Sequence, residues 1–249
     1  MSGAVAVVTG ASRSIGRAVS VALAEAGATV ALLGRDTRAL EGVRREISAL
    51  PASKPALPLP CDVSDPVAVE SAFEHCARAI GTPDVLVANA GIFQRWMPSE
   101  HLPLDEWDRV MAVDLRGLWA CCRAAGRLML ERESGRIVTV SSIAGVGSLP
   151  RMAAYNAAKA GVVSLTRTLA AEWAGRGVRV NCVVPGYIDR DVEPLKDDEA
   201  TYRGIEERTP MGRFGQPREV AMAVLFLASD MSSFVAGSTL VVDGGWTAA

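Results

Sequence analysis

Tyr155 and Lys159 stand four residues apart, and Ser142 lies thirteen residues before the tyrosine. Residues at i and i+4 share one face of a helix, so the phenol and the ammonium are neighbours if this segment is helical. A free tyrosine has a pKa of about 10, too high for a base near neutrality. A neighbouring ammonium favours the phenolate by Coulomb attraction. Such a phenol can give a proton to, or take one from, an oxygen passing between carbonyl and alcohol. The bland alternative is a helix on which Tyr155 packs and Lys159 is solvated.

A second group of residues fits a nucleotide. Thr9-Gly10-Ala11-Ser12-Arg13-Ser14-Ile15-Gly16 joins an apolar strand-like run to a helix-like one. In that setting glycine lets the backbone approach a pyrophosphate, and the free N–H groups of the helix start point toward it. The next strand-like run ends Leu33-Gly34-Arg35-Asp36. An acid at that strand end would bind the ribose diol of NAD, and Asp36 lies 20 residues past Gly16. Arg35 and Arg13 instead offer guanidinium groups, which pair with a phosphate in a bidentate way.

Positioning these groups requires alternating strands and helices. Strand-like runs fall at residues 4–8, 29–33, 56–59, 85–88, 136–140, 179–184 and 239–242. Helical spacing covers 14–26 and 37–50, restarts near Pro66, and continues over 104–131, 153–174 and 217–229. Repeated strand–helix units mean right-handed crossovers and a parallel sheet. The expected fold is therefore α/β, one Rossmann-type domain over residues 1–249, with about seven strands in a doubly wound sheet and helices on both faces. The stretch 189–209 is acidic, polar and weakly periodic, and is expected to be a substrate loop or lid.

Composition narrows the classes. The chain has 249 residues, 49% hydrophobic and 22% charged, with a net charge of −2. No basic patch invites nucleic acid, and no apolar run is long enough to predict a membrane span. The N-terminus has no basic leader of the secretory kind. Cys61, Cys76, Cys121, Cys122 and Cys182 are odd in number and form no Cys-x-x-Cys, as expected of buried thiols in a reducing cytoplasm. His75 and His101 are too few for a metal centre and are expected at the surface or at helix ends.

The order and spacing of these elements resemble the short-chain dehydrogenase/reductase family over residues 4 to 246. The first turn is similar to its Thr-Gly-x-x-x-Gly-x-Gly signature, with Ser14 where the middle glycine usually stands. The resemblance implies cofactor contacts at Gly10, Ser12, Arg13, Ser14, Ile15 and Gly16, and at Arg35 on a 2′-phosphate. It implies further contacts at Asp62 and Val63 on the adenine, at Asn89, Ala90 and Gly91, and at Pro185, Gly186 and Ile188 on the nicotinamide side. It makes Tyr155 the general acid or base, has Ser142 hold the substrate oxygen, and has Lys159 tune the tyrosine and bind the ribose. Asp114 takes the place of an asparagine thought to hold a relay water, and Arg190 the place of a threonine. An aspartate there can pair with Lys159. The implied cofactor is NADP(H), with NAD(H) as the alternative. The implied function is hydride transfer to or from a ketone or secondary alcohol, as in 3-oxoacyl thioester reductases or other carbonyl reductases. Gluconate-type and polyol dehydrogenases of the same family are a second reading, and an NADP(H)-binding protein with little catalysis a third. A small-molecule substrate and a cytoplasmic homotetramer complete the expectation.

Overall fold

Every residue of the first strand, β1 (Val5–Thr9), is buried, because both faces of the sheet are covered. The computed structural model describes residues 1–189 and 199–249. Six further strands complete the sheet: β2 (Thr29–Gly34), β3 (Leu57–Pro60), β4 (Val85–Ala88), β5 (Gly135–Val140), β6 (Val178–Pro185) and β7 (Thr239–Val242). All pairings are parallel, in the order β3-β2-β1-β4-β5-β6-β7. The chain winds outward from β1 to β3, then returns to β4 on the other side of β1. That reversal opens a crevice at the carboxyl ends of the strands.

Side chains alternate between the two faces, as a strand period of two requires. Val5 and Val7 join one core cluster, while Ala6 and Val8 join the other. The first cluster is closed by α3 (Pro66–Ala79), α5 (Leu118–Glu131) and α6 (Ala153–Trp173), the second by α1 (Ser14–Glu25), α2 (Thr37–Ser48) and α8 (Pro217–Ala228). Each Leu, Val or Ile so enclosed contributes about 1.5–3 kcal/mol over an exposed one. All five cysteines are free and buried, and burial pushes the Cys61 and Cys76 thiols up to about 11 and Cys122 to about 12. Both histidines are exposed.

Two segments depart from the sequence reading. The helical run over 104–131 is not one regular helix: α4 (Leu104–Met111) and α5 are joined by a π-helical turn at Ala112–Gly117. Part of the expected loop at 189–209 is helical, as α7 (Glu199–Arg208), because Ile205 buries and Arg203 pairs with Glu199 across one turn. The rest of that loop, 190–198, lies outside the described residues.

Candidate active site

The crevice is built first from the ends of β1 and β4. Asn89 and Ala90 both donate their backbone N–H to Thr9 Oγ1, each at 2.9 Å. Asn89 Nδ2 donates to the Thr9 carbonyl at 3.0 Å. These bonds draw the turn after β1 against the Asn89-Ala90-Gly91 segment so closely that side chains do not fit. A Cβ on Gly10, whose φ is +65°, would lie 2.9 Å from Ala90 Cα, and one on Gly16 would lie 2.0 Å from the Gly10 carbonyl oxygen. Ser14 opens α1 with a φ of +47°, and its buried Oγ has no hydrogen-bond partner among the described residues. An orphaned hydroxyl beside the free N–H groups of a helix start suits a phosphate. The turn thus fits a dinucleotide. Ser12 flanks it half-buried, Arg13 is exposed, and Ile15 packs into the core beneath.

At the end of β2, the exposed Arg35 guanidinium lies 3.9 Å from Asp62. Burial opposes the Asp62 charge, but the Ser64 hydroxyl and amide, with Arg35, outweigh it and hold the carboxyl below its ordinary value. Val63 is buried, and its carbonyl abuts Gly117, where a Cβ would come within 2.7 Å. Leu40 lies 3.3 Å from where a Cβ on Gly34 would be, so an acidic side chain is cramped at that strand end.

The second half of the crevice is formed by β5 and α6. Ser142 follows β5 and caps a short 3-10 turn, accepting the Ala144 N–H at 3.2 Å. Its neighbour Ser141 donates from Oγ to the Lys159 carbonyl at 2.7 Å, and a Cβ on Gly145 would lie 2.6 Å from that same oxygen. The strand end that carries Ser142 is therefore locked to α6 at Lys159. Tyr155 and Lys159 are both buried on α6, with the ammonium 5.6 Å from the phenol ring centroid. Phe93 lies over that ring at 4.9 Å.

Lys159 has two further contacts, Asp114 Oδ2 at 3.3 Å and the Val140 carbonyl at 3.4 Å. Asp114 is fully buried on the π-helical turn, and its Oδ1 accepts the Ile92 N–H at 2.8 Å. π turns occur mostly as single inserts inside α-helices, often at functional sites, and this one delivers the carboxylate. Gly91 leaves room for the pair: a Cβ there would meet Asp114 Oδ2 at 3.0 Å and Lys159 Nζ at 3.2 Å. Burial works against the Lys159 charge, but Asp114 and then Tyr155 outweigh it and raise its pKa. Burial pushes the Asp114 carboxyl above its ordinary value, against the pull of Lys159 and the Ile92 amide.

On the far side, Gly186 follows Pro185 and donates to the Val242 carbonyl at 2.9 Å, closing β6 against β7. Ile188 is buried and pairs with Gly215 in an isolated bridge. Between them Tyr187 meets Trp246 at 4.7 Å and Phe214 at 6.1 Å, and Arg208 covers Trp246 at 4.4 Å. Arg190 lies outside the described residues. Two buried polar residues brace the loop after β4: Gln94, which the sequence reading passed over, and Glu106 in the first turn of α4. Among the described residues no acidic, histidine or cysteine cluster suits a metal, and no helix is long and apolar enough to cross a membrane.

A family model described as enoyl-(acyl carrier protein) reductase matches residues 10–247. The chain belongs to the short-chain dehydrogenase/reductase family. Members are oxidoreductases acting on alcohol or carbonyl groups with a nicotinamide cofactor, and this short-chain dehydrogenase/reductase has the sheet and flanking helices of its solved relatives. It is 44% identical to cis-4-hydroxycyclohexanecarboxylate dehydrogenase of Sinomonas cyclohexanicum, over 98% of this chain and 96% of that protein. It is 39% identical to 3-oxoacyl-(acyl carrier protein) reductase of Salmonella typhimurium, over 98% and 97%. Among solved structures, gluconate 5-dehydrogenase of Burkholderia cenocepacia, in complex with NADP and tartrate, superposes with a TM-score of 0.94 at 35% identity. That match covers 100% of this chain and 97% of the other.

Proposed function

We propose that the protein is an NADP(H)-dependent carbonyl reductase, acting as one unit over residues 1–249, with Ser142, Tyr155 and Lys159 at its catalytic centre. One observation carries the reading: a buried ammonium, kept charged by Asp114, lies beside a buried phenol at the carboxyl ends of the strands. A solvated lysine next to a packing tyrosine would need neither the burial nor the counter-charge.

In this reading Gly10, Ser12, Ser14 and Gly16 hold the pyrophosphate, and Arg13 and Arg35 the 2′-phosphate. Asp62, Val63, Asn89, Ala90 and Gly91 line the adenosine side, while Pro185, Gly186 and the Ile188 backbone line the nicotinamide side. When bound, the nicotinamide supplies or accepts the hydride at the carbonyl carbon. Ser142 donates to the substrate oxygen and Tyr155 gives it a proton, leaving a phenolate that Lys159 stabilises. Asp114 holds Lys159 in its charged form and fixes where the ammonium sits.

The aromatic side chains at Phe93 and after β6 favour an apolar or cyclic carbonyl. Phe93 covers the phenol, and Tyr187, Phe214 and Trp246 form an aromatic cluster where the chain leaves β6. A 3-oxoacyl thioester or a ring ketone suits such side chains. A sugar-acid or polyol dehydrogenase is the second reading, favoured by the likeness to the gluconate enzyme and by the exposed guanidinium of Arg208 on Trp246. The reading also includes assembly of four copies in the cytoplasm. The exposed apolar side chains of Met231 and Phe234, after α8, support the assembly, and light scattering of the purified chain tests it.

The deciding experiment follows NADPH oxidation with a short 3-oxoacyl thioester and 4-oxocyclohexanecarboxylate, and NADP reduction with gluconate, in the natural protein and in Tyr155→Phe. A loss of about 100-fold or more in the variant supports the mechanism. Equal turnover in both proteins refutes it, and the substrate turned over selects between the two readings.

A further inference from the structure

We infer that Gln94 is a positioning residue for Tyr155, holding the first turn of α6 from outside the helix. The inference rests on the reading of Tyr155 as proton donor. The first N–H groups of any helix lack partners within it. Here the residue that precedes the helix is Met152, whose side chain makes no cap. The acceptor comes from 60 residues away instead. Gln94 Oε1 accepts the Ala154 N–H at 2.9 Å and the Tyr155 N–H at 3.3 Å. The other end of the same amide, Nε2, donates to the Arg151 carbonyl at 2.9 Å. Gln94 is 4% exposed, so water is poorly placed to substitute.

Arg151 itself has a φ of +66°. A non-glycine residue stays in that region only where its surroundings over-determine it. The Arg151 carbonyl is held twice, by Gln94 and by the Met97 N–H at 3.3 Å. The loop that carries Gln94 is fixed in turn. Asp114 accepts the Ile92 N–H, Arg109 donates to the Phe93 carbonyl at 3.3 Å, and Glu106 accepts the Arg95 N–H at 3.0 Å. The phenol of Tyr155 is therefore gripped by consecutive residues, its ring by Phe93 and its backbone by Gln94. Asp114 anchors the same loop and pairs with Lys159, so the proton donor and its ammonium share one support.

Three substitutions separate positioning from packing. Gln94→Met removes both hydrogen-bonding ends at similar volume. Gln94→Glu keeps the acceptor for the two helix amides but gives up the donor to the Arg151 carbonyl. Gln94→Asn keeps the chemistry but is one methylene short, and serves where the Met variant does not fold. Amide hydrogen exchange at 154 and 155 is measured on the full chain, together with kcat and KM for the carbonyl reduced by NADPH and with Tyr155→Phe alongside. The Met and Asn variants are expected to exchange those two amides at least about tenfold faster. They are also expected to lose about 10- to 100-fold in kcat, the cost of misplacing a reacting group by about 1 Å, with KM within about threefold. Gln94→Glu is expected to recover the protection at 154 and 155 and part of kcat. Retained protection in the Met and Asn variants overturns the inference without reference to any substrate. Lost protection with an unchanged kcat overturns it too, as does an equal fall of kcat in the Met and Glu variants. Undiminished turnover in Tyr155→Phe refutes the underlying mechanism instead, whatever the exchange shows.

Discussion

The buried pair of Asp114 and Lys159 can be broken from either side, and the two breaks differ in sign with pH. At 3.3 Å the Coulomb attraction is about 5 kcal/mol for an effective dielectric of about 20, a ceiling that desolvation of both groups reduces. Removing one partner of such a pair costs about 3–5 kcal/mol, because the other charge stays buried and uncompensated. Lys159→Met and Asp114→Asn are each expected to lose that much near pH 7, equivalent to about 6–20 °C in Tm for a chain of this size. The double variant is expected to recover about 2–3 kcal/mol of the summed loss. In Lys159→Met the Asp114 carboxyl is raised still further. The folded state then keeps a proton that the unfolded chain releases near pH 4, so the variant is most stable in acid and weakens as pH rises toward neutrality. In the natural protein the raised Lys159 contributes stability below its unfolded pKa of about 10.4, lost as pH rises through the folded value. Urea unfolding of the four proteins from pH 5 to 8, extended to about pH 11 for the natural protein, tests both points at one protomer concentration. Additivity of the single losses within about 0.5 kcal/mol would refute the coupling, and a pH-independent loss in Lys159→Met would refute the buried-carboxylate argument.

Other perturbations probe the rest of the crevice. Arg35→Ala is expected to weaken NADPH binding by about 10- to 100-fold, the worth of hydrogen bonds to a charged group, while NADH changes by less than about threefold. Cofactor fluorescence titration reads both. Gly16→Ala drives a Cβ toward a position 2.0 Å from the Gly10 carbonyl oxygen, so nucleotide binding by calorimetry is expected to vanish and the melting temperature to fall. Glu106 is held at about 2, first by its hydrogen bonds from Arg109. That depressed value adds stability above the ordinary carboxylate range, lost as pH falls toward 2. Glu106→Gln is therefore expected to be less stable than the natural protein at pH 7, with the two melting curves converging in acid.

Strands at 85–88 and 239–242 read from the sequence with the bounds the structure has, and the others shifted at one or both ends. The run at 85–88 is buried on both faces, which leaves a strong signal in the residues themselves. The turn at Gly10 and Gly16 was legible for a similar reason, since a strand, glycines and a helix start in sequence order leave few geometries. The π turn was not legible. Residues 112–117 have ordinary helical composition, and the widening comes from where α4, α5 and α6 must pack. Nor could Gln94 be read, because a side chain bonding to backbone 60 residues away leaves no local pattern. The proximity of Asp114 to Lys159 was foreseen only as an option opened by an aspartate in an asparagine's place. Its distance, full burial and hold on Ile92 belong to the fold. The stretch 189–209 misled in part, since a polar helix with one buried residue, Ile205, carries little periodic signal.

The π turn also sets a rule about chain length. Glu106, Val110, Asp114, Leu118 and Cys122 are all buried at intervals of four. In a regular helix each such step drifts by about 40°, so five positions would wind most of the way to the opposite side. The wide turn absorbs the drift and keeps one continuous inward edge. Losing a single residue within 112–117 would close the helix at regular pitch with one residue fewer, leaving α5 on nearly the same face of α4 while removing the wide turn that delivers Asp114. The helix would stay in the core while the carboxylate left the ammonium. This stretch of chain can tolerate substitutions of composition far more readily than any change in its count of residues, and the charge at the heart of the crevice is written in that count.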